Sequence, residues 1–335
     1  MTKVYYKKCT LNKEVNDVVY QMLKKIINEN NIQLPNKVPL KVHFGEEGNE
    51  TYIKPEYYEG VKRYLKENNI DTCYIETNVL YKSERSFVDS HIQLAKRHGF
   101  DDLEIIIADG DNDHPYNEIE VNLKNFKHCK IGTKYADYDS YIVLSHFKGH
   151  VLAGHGGAIK QLGMGFAARG GKLHQHSTSI PIINENGCIS CGACAAKCPV
   201  DAIKLNPKAI IDPNICIGCA SCTLVCPVNV ISHNWHSSNF LEKLAEYAKA
   251  ASLNKQMIHI VYAFNITQDC DCHGQKMDLI TDDIGVFAST DPVAVDKAIL
   301  DILNENQSLF TQGYETLSYA KEIGLGEEDY ELIEI

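Results

Sequence analysis

Tyr141-Ile142-Val143-Leu144-Ser145-His146-Phe147-Lys148-Gly149-His150 begins as an unbroken apolar run and ends in polar residues and glycine. Four consecutive large apolar residues, with β-branched Ile142 and Val143 among them, suit a strand covered on both faces, as strands of a parallel sheet are. The chain beyond it changes character. Eight of its 22 glycines fall between Gly149 and Gly171, and the stretch from His146 to His176 holds five histidines and four lysines or arginines. Glycine lets backbone N–H groups approach a ligand closely, and Gly156-Gly157 running into a helix would present its N-terminus to an anion. His150, His155 and Lys160, with Gly154, Gly156 and Gly157, are therefore expected to line a pocket for something anionic, at the C-terminal end of a parallel strand where such sites sit. The competing reading is a glycine-rich loop that only lets helices pack closely.

Outward from this strand the pattern repeats. Val4-Tyr5-Tyr6, Val38 to Gly45, Asp71 to Thr77, Glu104 to Asp109, Glu118 to Leu123 and Ile258 to Phe264 read as strands. Between them, Glu14 to Glu29, Pro55 to Asn68, Ser83 to His98 and Phe240 to Ala250 read as helices with apolar stripes. Ser289-Thr290-Asp291-Pro292 is a helix start, with Asp291 or Thr290 as cap and Pro292 in the first turn. Strands alternating with helices predict an α/β fold with a mostly parallel sheet covered on both faces. The acidic turn Asp109-Gly110-Asp111-Asn112-Asp113 reads as a solvated edge loop rather than a metal site.

Ile258 to Phe264 ends in Asn265-Ile266-Thr267-Gln268-Asp269-Cys270-Asp271-Cys272-His273-Gly274. Cys270, Asp271 and Cys272 bring two thiols and a carboxylate to a second strand end. They are expected to bind a soft metal or to act as nucleophilic, acid–base or redox groups. Buried small hydrophobes and a turn aspartate are the plain alternative. Cys9 and Cys73 read as core residues, and Cys129 as core or within reach of the pocket.

Eight of the thirteen cysteines lie in two runs, Cys188-x2-Cys191-x2-Cys194-x3-Cys198-Pro199 and Cys216-x2-Cys219-x2-Cys222-x3-Cys226-Pro227, 28 positions apart. Three thiols spaced in this way wrap one face of an iron–sulfur cube while the fourth, before proline, reaches the neighbouring cube. The expected ligand sets are Cys188, Cys191, Cys194 and Cys226 for one [4Fe–4S] cluster, and Cys216, Cys219, Cys222 and Cys198 for the other. A zinc site needs no such triple loop, and nothing suggests a secreted disulfide framework. The runs resemble a bacterial-type two-cluster ferredoxin, here read as an insertion at residues 184–236 that divides an α/β domain into 1–183 and 237–335.

The 335 residues are 44% hydrophobic, enough for a sizeable core, and contain no apolar run of membrane-spanning length. A formal charge of −11 sets the molecule against nucleic acid and anionic membrane. Free thiols and an N-terminus without a signal-like segment lead to the expectation of a cytoplasmic protein, from an anaerobic or microaerobic cell. No G-x-G-x-x-G follows the first strand and no G-x4-G-K-[ST] occurs, so nothing points to a pyridine nucleotide or a P-loop. A flavin site outside these patterns leaves no short signature.

The sequence of elements Ala153-Gly154-His155-Gly156-Gly157-Ala158-Ile159-Lys160, Gly163-Met164-Gly165, the cysteine runs, Asp269-Cys270-Asp271-Cys272, Asp283-Ile284-Gly285-Val286 and Ser289 to Asp296 resembles the domain-of-unknown-function 362 family of iron–sulfur proteins. The likeness covers nearly the whole chain and implies little chemistry. A shorter likeness, Ala153 to Lys160 alone, is to nickel-dependent lactate racemases, with the lysine one place displaced. It implies His150, His155 and Lys160 around a small anionic substrate or organic cofactor. The expected function is that of an oxidoreductase, with two clusters relaying electrons to or from a small-molecule or metal site in the α/β domain. The alternatives are a maturation protein delivering electrons or metal to a partner enzyme, and a racemase-like enzyme with structural clusters. The expected partners are a redox protein or a small anionic substrate.

Overall fold

Apolar residues at every second place of a strand, or in a stripe along a helix, must be buried against something, and here they assemble into one sheet with helices on both sides. A computed structural model describes residues 1–111, 116–176, 180–198, 200–216, 218, 221–232 and 239–335. In chain order the first half contains β1 (Thr2–Lys7), α1 (Val15–Glu29), β2 (Leu40–Lys41), α2 (Glu59–Glu67), β3 (Tyr74–Glu76), α3 (Val88–Arg97), β4 (Ile105–Ile107), β5 (Tyr116–Glu120), β6 (His128–Gly132) and β7 (Ser140–His146). A glycine-rich hairpin, β8 (Lys148–His150) and β9 (Gly154–Gly156), leads to α4 (Ala158–Gly163) and α5 (Arg169–His176). The cysteine-rich stretch contributes β10 (Ile182–Ile183), α6 (Ala193–Ala196), β11 (Ile203–Leu205), β12 (Ala209–Ile211), α7 (Ser221–Val225) and β13 (Ile231–Ser232). Then come α8 (Phe240–Ser252), β14 (Gln256–Ala263), β15 (Gly285–Ser289), α9 (Pro292–Leu303), α10 (Gly313–Glu322) and β16 (Tyr330–Glu334).

Eight strands form the main sheet in the order β16-β1-β15-β14-β7-β2-β3-β4. The run β14-β7-β2-β3-β4 is parallel throughout, and only β15 lies antiparallel to its two neighbours. The fold is α/β with a mostly parallel sheet. Because side chains alternate across a strand, β7 feeds two cores. Ile142 and Leu144 pack with α1 and α2 residues such as Val19, Leu23 and Val61. Tyr141 and Val143 pack with Ile159, Leu244 and Val295 from α4, α8 and α9. Asp291 caps α9 by accepting from the N–H groups of Val293 and Ala294 at 2.9 and 3.0 Å.

The strand expected over 118–123 forms as β5 but pairs only with β6, outside the main sheet. The two ends of the cysteine-rich stretch pair with each other through β10 and β13, antiparallel, where Ile182 faces Ser232 and Ile183 faces Ile231. No described helix is long and apolar enough to cross a membrane.

Candidate functional site

The C-terminal ends of β2, β3, β7 and β14 meet around a cavity of about 60 Å³. Each strand sends a polar residue to it just past its last apolar position: His43 after β2, Glu76 and Thr77 from β3, Ser145 and His146 from β7, and Cys270 to Cys272 from the loop after β14. Such a site follows from parallel strands, whose ends open together on one edge.

Three sets of contacts build the walls. Buried Asp271 accepts from Lys148 Nζ at 2.8 Å and lies 2.9 Å from His146 Nδ1, while His146 Nε2 faces the Phe264 carbonyl at 2.7 Å. Both nitrogens of His146 thus face acceptors. Burial alone would raise the Asp271 pKa, but the charges of His146 and Lys148 outweigh it and hold the group well below the carboxylate range. The second set centres on Arg85, which donates to Glu46 at 3.1 Å and to Tyr81 at 2.6 Å and lies 2.9 Å from His43 Nε2. Tyr81 in turn donates to the Cys272 carbonyl at 3.2 Å. In the third, fully buried Lys41 pairs with Glu76 at 2.6 Å, and Lys172 donates to Thr77 Oγ1 at 2.6 Å and to the Ala167 carbonyl at 2.7 Å. Burial pushes Lys172 down to about 8.

Cys270 and Cys272 share a hydrogen bond inside this frame, and His43 Nε2 lies 3.7 Å from Cys272 Sγ. The bond from Cys270 holds Cys272 well below the usual thiol range against the cost of burial, with Lys160 and His43 adding to the effect. Cys270 moves the opposite way because it retains the shared proton and is buried. The pair therefore behaves as one thiolate, Cys272, beside one thiol. Lys160 is raised by the two sulfurs and Asp271 despite its own burial.

Of the residues expected at the pocket, Lys160, Cys270, Asp271, Cys272, Gly156 and Gly157 line the cavity. His150 and His155 are not among its lining residues. His150 Nδ1 accepts from the N–H groups of Leu152 and Ala153 at 3.2 and 3.0 Å, and burial and Lys160 hold it well below the usual imidazole range. His155 turns to the far side of the hairpin, 3.4 Å from Asp296 and stacked on Phe147. The glycines accommodate the chain itself. A methyl group on Gly157 would collide with the Asp296 carboxylate, which accepts from the Ala158 and Ile159 N–H groups at the start of α4. Gly154, at φ +75°, would meet the backbone nitrogen of Gly313 at 2.6 Å. Sequence reasoning missed His43, Arg85, Glu76 and Thr77; His43, Glu76 and Thr77 share a position at or near the end of a predicted strand, whereas Arg85 lies in a short helical turn and carries no such signal. Cys73 and Cys129 are buried in the core, Cys9 is half-buried, and none lines the cavity.

In the cysteine-rich stretch, Cys188, Cys191, Cys194 and Cys226 line a second, smaller cavity of about 20 Å³ whose other walls are apolar, among them Ile183, Ala209 and Ile231. The Ser190 N–H donates to Cys188 Sγ at 3.4 Å, with Ser190 and Gly192 both at positive φ. In the other set, the Gly218 N–H donates to Cys216 Sγ at 3.4 Å and the Ala202 N–H to Cys198 Sγ at 3.3 Å; Cys222 is buried, and Cys219 lies outside the described residues. Backbone N–H groups aimed at sulfur favour thiolate ligands. Gly218 stands against Leu173, the neighbour of Lys172 on α5. Among the described residues, no three His, Cys, Asp or Glu side chains converge as ligands of a single metal ion.

The family described as Domain of unknown function (DUF362) matches residues 38–301. The chain belongs to the DUF362 family. That match takes in β2 through most of α9, and with them every cavity-lining residue of this DUF362 protein. No curated protein matches it. Among solved structures, the lactate racemase apoprotein from Thermoanaerobacterium thermosaccharolyticum is similar at 11% identity and a TM-score of 0.46, over 92% of this chain and 58% of that one. A protein from Thermotoga maritima is similar at 8% identity and a TM-score of 0.42, over 95% of this chain and 61% of that one. The DUF362 chain spans about three-fifths of the length of either.

Proposed function

We propose that this protein is an iron–sulfur oxidoreductase with two [4Fe–4S] clusters, exchanging electrons with a small anionic substrate in the cationic cavity. The observation that carries the reading is the grouping of Cys226, from the second run, with Cys188, Cys191 and Cys194 of the first around one apolar cavity. A cube crossing between runs requires this grouping, whereas zinc would draw four sulfurs to about 2.3 Å from a single point. Cys198, Cys216, Cys219 and Cys222 would hold the second cluster. Bound clusters supply single electrons at potentials tuned by N–H···S bonds and burial.

The chain's own residues do the rest. Lys160 and Lys172 attract the anion, the Lys148–Asp271–His146 set holds the Cys270–Cys272 loop in place, and Cys272 offers a thiolate. The enclosing residues 1–183 and 237–335 form the substrate-binding body, with 184–236 as the electron-carrying insertion, in a cytoplasmic setting where thiols stay reduced.

A second reading, delivery of electrons or metal to a partner enzyme, is favoured by the surface. Among the described residues, six of the ten exposed large hydrophobic ones, Ile182, Ile189, Leu205, Ile210, Ile215 and Val228, lie in the cysteine-rich stretch. Apolar exposure concentrated in one stretch suits a protein partner.

Protein purified without oxygen tests both. About eight iron and eight acid-labile sulfide atoms per chain are expected, with a paramagnetic signal after dithionite that a small-molecule acceptor discharges. Zinc in place of iron would overturn both readings, and discharge only by a co-purified protein would select the second.

A further inference from the structure

The Cys270–Cys272 pair lines a cavity of small volume. About 60 Å³ admits about four or five water-sized groups, which suits a small ion better than a peptide disulfide or a glutathione-sized molecule. The cavity also favours an anion. Lys148, Lys41 and Arg85 already face Asp271, Glu76 and Glu46, and Lys160 lies near Cys270, Cys272 and Asp271, but the hydrogen bonds of Lys172 go to the neutral oxygens of Thr77 and Ala167. A third feature is the Ser145 hydroxyl: 97% buried at the cavity wall, it lacks a hydrogen-bond partner among the described residues. A buried hydroxyl without a partner costs free energy unless a ligand supplies one, and an oxyanion would do so.

We propose that the cavity takes a small sulfane-sulfur anion, with Cys272 as the nucleophile, Cys270 as the resolving thiol, and Lys172 and Ser145 holding the anion. The second thiol is what separates this from attack on a carbonyl, in which it has no part. With thiosulfate, the Cys272 thiolate bonds to the outer sulfur and the S–S bond breaks, releasing sulfite and leaving a persulfide anion on Cys272. The Cys270 sulfur then attacks Cys272 Sγ, closing a Cys270–Cys272 disulfide, and its proton leaves with the terminal sulfur as hydrosulfide. Return to one thiol and one thiolate takes two electrons and one proton from a one-electron carrier. His43, 3.7 Å from Cys272, is a positioning residue in this scheme. The proposal rests on reading the cavity as a small-anion site, and its first two steps do not involve the clusters.

The test uses the full chain, purified without oxygen, with thiosulfate or inorganic polysulfide and no reductant. With thiosulfate, wild type should release equal amounts of sulfite and sulfide in a single turnover and form the Cys270–Cys272 disulfide, read by peptide mass. Cys270→Ser should release sulfite but withhold sulfide, with Cys272 one sulfur atom heavier, and Cys272→Ser should do neither. With polysulfide the same added sulfur on Cys272 of Cys270→Ser is the readout; transfer from one donor alone would identify that donor. Absence of added sulfur on Cys272 with both donors, in a variant whose circular dichroism matches wild type, would overturn the proposal, as would wild-type sulfide release by Cys272→Ser. Iron measured on the same samples reads the cluster assignment separately: iron-free protein that still transfers sulfur sinks that assignment and leaves this one, and an iron-replete protein inert to both donors does the reverse.

Discussion

Lys148 Nζ lies 2.8 Å from Asp271 Oδ2, with both side chains buried, so the hairpin after β7 is tied to the loop after β14 by one ion pair. Removing one partner of such a pair leaves an uncompensated charge, at a cost of about 3–5 kcal/mol. Asp271→Asn should destabilise the protein by about that much in urea unfolding. The folded pKa of Asp271 lies below its unfolded value, so its contribution is complete above the unfolded pKa and is lost only as pH falls through the folded one. The part of the deficit due to the Asp271 charge should therefore begin to shrink only as pH falls below about 4.

Lys160 favours the thiolate of Cys272. In Lys160→Met the Cys272 pKa should rise, and alkylation of Cys272 by iodoacetamide at pH 6 should slow relative to wild type. The two rates should converge as pH increases, when both thiols are ionised. Equal rates at pH 6 would remove Lys160 from the electrostatics of the pair.

Exchange of the fourth ligand between the runs has a stoichiometric consequence. Cys191→Ala and Cys226→Ala should each lower iron from about eight toward about four per chain, and the double variant should lose no more than either single. Additive loss would place Cys226 with the other set.

His259 is buried in β14 with Nδ1 lacking a hydrogen-bond partner in the protein, and burial pushes it down to about 4. Unfolding frees a ring that titrates near 6.5, so the unfolded state binds the extra proton below that pH. Stability is therefore complete above pH 6.5 and is lost as pH falls toward 4, by about 3 kcal/mol in all. His259→Leu should flatten that part of the stability profile, measured as urea midpoints at pH 7 and pH 5 in parallel with wild type.

The elements were readable where one local pattern determined them. The β7 run and the α9 start at Asp291-Pro292 both carry their signal within a few residues. The site was readable in part, because Lys160 and the Cys270–Cys272 loop announce themselves by composition. His43 and Glu76 do not: each is an ordinary polar residue until the parallel pairing of β2, β3, β7 and β14 brings strand ends together, and Arg85 joins them only through its contacts with Glu46 and His43. His155 shows the opposite failure. Its glycine-rich surroundings marked it for a ligand, but the two-stranded hairpin directs it to Asp296, whose carboxylate also caps α4. Nothing in a linear reading distinguishes one face of that hairpin from the other. The antiparallel β15 was equally hidden, since its short apolar run fits either direction.

The pairing of Ile182 and Ile183 with Ser232 and Ile231 makes the chain depart and return at one doorway. A cassette hung on such a doorway can be exchanged for another without rethreading its host, and lengthening it adds closure entropy only logarithmically. On the proposed reading of 184–236 as an insertion, the same body could be inherited with a different passenger, or with a short turn in its place, and the lock that holds Cys272 would stay shut.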